Sequence, residues 1–262
     1  MSSRRERIQF LKAGVSKAER ALRDAYEAAG FTDDLVHGLR HTLRVVDEAL
    51  RIIRECGLGD VMACKLLCAV WLHDIGRVNA GNEQHALVSA RKTLEVLGLC
   101  HGISNEDVSD IHFAVLNHSQ GLEGVATLFG KELAPASTDA EILLGFLVLC
   151  DHADGASPEG IARLCEYRLQ MGGNDFLPVA SPRYTVLTLR RLLQSPNGIP
   201  LAEMKAMKED SVVAHVLYNY GATARILAPM EPHITATYQK EWSDRLRLTY
   251  GLIVTFLDGC PD

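Results

Sequence analysis

Residues 61–72 read VMACKLLCAVWL, a run broken only by Lys65, and they end abruptly in His73-Asp74. A helix that is apolar on every side has to be interior, so whatever stands at its end lies at or near the core. Two further stretches behave alike. Residues 111–116 lead to His118, and ILLGFLVLC at 142–150 leads into Asp151. A carboxylate in such a place costs several kcal/mol unless it is paired or bound to a metal. Carboxylates and imidazoles arriving together at the ends of core helices point to a cation, because the carboxylates alone would repel one another. Mixed ligands of this kind suit zinc, manganese, iron, cobalt or nickel. Taken singly, each Asp is equally a solvated helix end and each His a satisfied polar residue. The weight lies in the combination.

The rest of the chain reads as helix after helix, which predicts an all-α bundle. Ser16-x-x-Glu19 is a capping box ahead of a helix ending at Gly30, and Thr32 caps a second that stops at Gly57 and Gly59. Leu35, Leu39, Leu43, Val46, Leu50 and Ile53 form the apolar stripe expected for that second helix. Asn82 caps a helix to Leu97, and Ser104-x-x-Asp107 opens another that reaches His118. Thr138-x-x-Glu141 caps the run into Asp151 and favours a helix there over a strand. Residues 119–137 read as a loop. Ser157-Pro158 and Ser181-Pro182 mark later helix starts, while RYTVLTL at 183–189 has strand-like alternation. The expected organisation is an N-terminal helical segment (1–30), a metal-binding helical core (31–170) and additional C-terminal helices packed on it (171–262).

The net charge of −6 gives no broad basic field, so bulk nucleic-acid binding is not favoured. The N-terminus lacks the apolar stretch of a secretory signal, and no run approaches a membrane span. The seven cysteines are odd in number, and most sit in apolar helical stretches. That fits reduced thiols in a cytoplasmic protein. Cys64 and Cys68 share a helix face, but two thiolates alone make no zinc site.

The order His41, then His73-Asp74 within WLHDIGR, then Asp151 within LCDHAD resembles the H…HD…D signature of the HD superfamily of metal-dependent phosphohydrolases. HTLRVVDEAL after the first His and LLCAVWL before the doublet strengthen the likeness, which spans roughly residues 31–165. The resemblance implies that His41, His73, Asp74 and Asp151 ligate one divalent metal (Mn, Fe, Mg, Co, Ni or Zn). Some members add two histidines and a second metal. His85, in NEQHALVSA, and His118, in VLNHSQG, stand where those members have them, and Asp74 would then bridge the two ions. Arg77 stands where the family usually has Lys. It is a candidate for the catalytic and substrate-binding machinery as a phosphate clamp, or else a surface arginine at a helix end. Arg44, one turn after His41, is a second substrate-binding candidate.

The remaining histidines and Asp154 have weaker claims. His37 shares a helix face with His41 and is a substitute ligand or a packed residue. Asp154 orients a ligand or water, or belongs to a turn. His152 points elsewhere on its helix, and His112 is core or near the site. His101, His215 and His233 carry no spacing signal.

The expected activity is hydrolysis of a phosphomonoester or phosphodiester, of a nucleotide or related small phosphorylated molecule, by a metal-activated water. No P-loop and no GxSxG elbow is present. The alternative is a regulatory HD module that binds a nucleotide or metal without turnover. The apolar stretch 246–257 offers a surface for a homodimer.

Overall fold

The structure, a computed structural model, describes residues 3–31, 37–80, 84–119, 136–155 and 226–258. Among them every regular element is a helix. The long helices are α1 (Arg4–Ala28), α2 (Leu39–Glu55), α3 (Asp60–Leu72), α4 (His85–Gly98), α5 (Asn105–Asn117), α6 (Asp139–Gly155) and α7 (Ala236–Asp258). A single 3-10 turn, Ile75–Val78, links α3 to α4. The caps at Thr32 and Asn82, most of the loop at 119–137, the starts at Ser157-Pro158 and Ser181-Pro182, segment 183–189, His215 and the boundary near 171–181 lie outside the described residues.

Helix α3 is the axis of the bundle, and α1, α2, α4, α5 and α6 all pack against it. Its all-round apolar sequence dictates this, since Leu66, Cys68, Ala69, Val70 and Leu72 are each fully buried on different faces. The unbroken helix 139–155 follows suit, with Leu143, Leu144, Phe146, Leu147 and Leu149 all inaccessible. Its start is the expected box. The Glu141 carboxylate accepts from the Thr138 N–H at 2.9 Å, and the Thr138 hydroxyl accepts from the Glu141 N–H at 3.2 Å.

Two expectations need correction. Helix α1 starts at Arg4, capped by Ser3 and Glu6, about three turns before Ser16. Ser16 lies mid-helix and bonds back to the Lys12 carbonyl. Both Ser-x-x-Glu patterns satisfy the capping rule. The buried row Leu11, Gly14, Ala18, Leu22 and Tyr26 runs straight past Ser16 and decides between them.

Helix α2 starts at Leu39, and its buried face is His41, Thr42, Val45, Glu48, Ala49 and Ile52, not the leucine stripe. Leu43 and Leu50 are exposed, at 37% and 46%. His41 and Glu48 turn inward because each finds a partner there. Glu48 accepts from the Tyr238 hydroxyl (2.9 Å) and from Arg245 (3.0 Å), which docks α7 on α2.

The helix ends follow the glycines. Gly30 and Gly57 both adopt left-handed backbone, φ 66° and 64°. After each, an N–H reaches back to the third-last helical carbonyl, Phe31 to Tyr26 and Leu58 to Ile53. No helix among the described residues is long and apolar enough to cross a membrane.

Candidate metal centre

The doublet His73-Asp74 sits where α3 ends and the 3-10 turn begins, and the other candidate ligands converge on it from four helices. His41 comes from the first turn of α2, His85 from the first residue of α4, His118 from the end of α5 and Asp151 from the last third of α6. All but Asp151 are buried to within a few per cent. Tyr26 of α1 supports the doublet from behind, its hydroxyl lying 3.2 Å from both the His37 and Asp74 carbonyls.

The two carboxylate oxygens of Asp74 face different clusters. Oδ2 lies 3.8 Å from His41 Nε2 and 3.6 Å from His73 Nε2. Oδ1 lies 3.4 Å from His85 Nε2 and 3.6 Å from His118 Nε2. Asp151 Oδ1 completes the first cluster, 3.2 Å from His41 Nε2 and 3.9 Å from His73 Nε2. His41, His73 and Asp151 therefore form one group able to hold an ion, and Asp74, His85 and His118 form a second.

The hydrogen bonds decide which nitrogens face inward. His73 Nδ1 donates to the Val70 carbonyl and His118 Nδ1 to the Val115 carbonyl, both at 2.7 Å. A carbonyl can only accept, so each Nε2 is a bare lone pair. His73 Nε2 and Asp74 Oδ1 are buried with no hydrogen-bond partner among the described residues. Lone pairs thus point at carboxylate oxygens across less than 4 Å, an arrangement that is repulsive alone and complementary around a cation. The donor set fits a divalent metal.

The electrostatics agree. Burial pulls the His73 imidazole down from 6.5 to about 4, against the attraction of Asp74 and Asp151. Burial acts likewise on His37, also to about 4. Burial would raise the Asp74 carboxyl, but the Arg77 guanidinium and His73 outweigh it and hold the group well below the usual range. His41 and His73 do the same for Asp151. Burial therefore keeps His73 and His37 neutral, and the surrounding cations keep Asp74 and Asp151 ionised, which is the form in which these groups ligate.

A pH dependence follows for the metal-free protein. His73 takes up its proton near 6.5 when unfolded and near 4 when folded. Between those values the unfolded chain binds more protons, so stability falls as pH falls, by on the order of 3 kcal/mol for this residue. With chelator present, the melting temperature should drop between about pH 6.5 and about pH 4.5. A melting temperature that holds or rises over that interval contradicts the assignment.

No family model and no curated protein matches the chain. A solved structure does: the crystal structure of a Lactobacillus plantarum protein, a structural-genomics target. The two share 18% identity with a TM-score of 0.55, over 98% of this chain and 97% of the other. At that identity the likeness concerns the fold.

The remaining residues divide cleanly. Arg77 packs its Nε 2.6 Å from Asp74 Oδ2, directly beside the centre. Arg44 reaches its margin through Asp154. His37 lies in the turn before α2, not on the helix, yet its Nδ1 is 3.6 Å from Asp74 Oδ2, and it groups with His41 and Asp74. Among the described residues, His101, His112, His152 and His233 belong to none of the groups able to hold an ion. Cys64 and Cys68 are buried free thiols outside every ion-holding group among the described residues.

Asp154 is the residue whose position the pattern left open. Helix α6 continues past Asp151 to Gly155 and places Asp154 one turn on, on the same side, 2.7 Å from His41 Nδ1. Its spacing of three from Asp151 was the available signal.

Gly76 explains how α4 comes close enough. A Cβ there would meet the His85 carbonyl oxygen at 2.5 Å and the Ser89 nitrogen at 2.6 Å, both backbone atoms. The Gly76 N–H also donates to the Ser89 hydroxyl at 2.9 Å. Gly76→Ala should push α4 outward at a cost of about 1–3 kcal/mol. Metal titration should show the Asp74–His85–His118 cluster weakened more than the His41–His73–Asp151 one. Equal affinity at both would refute this account of Gly76.

Proposed function

We propose that this chain is a metal-dependent phosphohydrolase of the HD type, acting on a phosphomonoester or phosphodiester of a nucleotide or related small phosphorylated molecule. The observation that supports it best is Asp74, whose two oxygens each face a separate ligand cluster. His41, His73, Asp74 and Asp151 would hold one divalent ion, and Asp74, His85 and His118 a second. Bound there, such ions lower the pKa of a coordinated water to about 7 and neutralise charge on a phosphoryl oxygen.

The chain's own groups do the rest. Two backbone carbonyls orient His73 and His118 so that both present Nε2 inward. Arg77 keeps a guanidinium against the centre, the charge type that stabilises phosphoryl oxygens in the transition state. Ionised Asp74 and Asp151 keep the centre ready for a cation at neutral pH.

The direct test is hydrolysis of p-nitrophenyl phosphate, bis-p-nitrophenyl phosphate and a nucleotide panel, with Mn²⁺, Fe²⁺ or Co²⁺ and with chelator. Turnover should appear with metal and vanish with chelator. Undiminished activity in chelator would reject the reading. Full metal occupancy and tight nucleotide binding without turnover would assign the regulatory alternative. Purified protein that takes up no metal would leave a helical scaffold only.

A further inference from the structure

Of the inward-facing histidines, His41, His73 and His118 each have the second ring nitrogen anchored, and helix position decides how. His73 and His118 cap the C-terminal ends of α3 and α5. The last four carbonyls of a helix lack intrahelical partners, and Val70 and Val115 are among them, so each ring finds an acceptor one turn back. His41 is in the opposite situation. It sits in the first turn of α2, where unpaired groups are N–H donors and no orphan carbonyl exists. Its anchor must come from another element.

We infer that Asp154, held in place by Arg44, is the positioning residue that makes His41 a metal ligand. The inference rests on the metal reading above. Asp154 is a buried carboxylate, its side chain 1% exposed. Its Oδ2 accepts from His41 Nδ1 at 2.7 Å, which turns Nε2 toward Asp151, 3.2 Å away. Arg44 Nε donates to Asp154 Oδ1 at 2.5 Å, and Arg44 Nη2 to Oδ2 at 3.2 Å. Both carboxylate oxygens therefore accept, Oδ1 from Arg44 and Oδ2 from Arg44 and His41 together. Arg44 and His41 are one turn apart on α2, so α6 grips α2 through a single carboxylate that also sets the imidazole.

An asparagine cannot do this. It has one acceptor and one donating amide. With the acceptor turned to Arg44, the amide faces His41 Nδ1 and favours the tautomer with a proton on Nε2, which cannot ligate.

The test compares wild type, Asp154→Asn, Arg44→Gln and His41→Ala by titration of the metal-free proteins with Zn²⁺ and Co²⁺ against a chromophoric chelator. Imidazole nitrogen shifts of His41 are read in parallel by NMR. Asp154→Asn should weaken metal binding 10–100-fold, in the range seen when such outer partners of a ligating histidine are removed. Arg44→Gln should weaken it less, and His41→Ala at least as much. In metal-free wild type, His41 should carry its proton on Nδ1, and in Asp154→Asn that population should shift to Nε2. Unchanged affinity in a folded Asp154→Asn overturns the inference and leaves the metal reading standing. A wild type that binds neither metal fails the metal reading itself. If Asp154→Asn does not fold, the wild-type tautomer decides: a proton on Nδ1 supports the inference and one on Nε2 overturns it.

Discussion

Asp74→Ala should abolish metal-dependent turnover, lowering kcat/KM by about a thousandfold or more. No other substitution at the centre is expected to act as broadly. His85 and His118 belong to one cluster and His41, His73 and Asp151 to the other, whereas Asp74 faces both. Its loss removes a ligand from each site at once and leaves Arg77 beside the cluster without its carboxylate. Metal analysis should show both ions lost or weakened. In His85→Ala the effect should concentrate on one ion. Asp74→Asn preserves the shape but not the charge, and should fall nearly as far as alanine. Circular dichroism of each variant separates a lost site from a lost fold. An Asp74→Ala protein that keeps wild-type turnover would end the enzymatic proposal.

The largest stability effect is expected far from the centre, at Lys65. This side chain is fully buried in the middle of α3. Its ammonium lies 2.6 Å from Asp110, 3.2 Å from Asp139 and 3.3 Å from Asp107, and Asp107 is also gripped by Arg7 of α1 at 2.6 and 3.0 Å. The network thus ties α1, α3, α5 and α6 together. Lys65→Met keeps the apolar stem but strands carboxylates, of which Asp107 is wholly inaccessible. Leaving a buried charge short of its partner costs about 3–5 kcal/mol. Denaturant unfolding should show a loss of that size. Asp110→Asn in the Lys65→Met background should recover part of it, because it removes a stranded charge. A loss under about 1 kcal/mol would show the network to be solvated and of surface strength.

Both sites illustrate what a linear pattern conveys. The helix signals were legible wherever they were local. Ser104, Thr138, Gly30 and Gly57 act within a few residues of themselves, and each starts or stops a helix as its chemistry requires. The apolar runs at 61–72 and 142–150 identified the interior, because a helix without a polar face has nowhere else to go. Where two local signals compete, as at Ser3 and Ser16, only the partner helix chooses. On α2 the leucine stripe misleads for a related reason. Hydrophobicity ranks Leu43 and Leu50 above His41 and Glu48, but the buried His/Asp cluster and the α7 dock are where these polar residues find partners. Lys65 reads as an interruption in an apolar helix, and its three carboxylates come from two other helices.

By itself the sequence determined the helices, the buried ones among them, and the order H…HD…D that brings four candidate ligands to notice, with His85 and His118 standing between the doublet and the last Asp. The tertiary structure decided how they meet: that Asp74 divides its oxygens between two clusters, that His37 joins them from a turn, and that Asp154 and Arg44 set His41. The reason is physical. Caps and periodicity are interactions within a few residues along the chain, whereas a ligand's direction depends on its rotamer and on the group behind it, supplied here by a helix more than a hundred residues away.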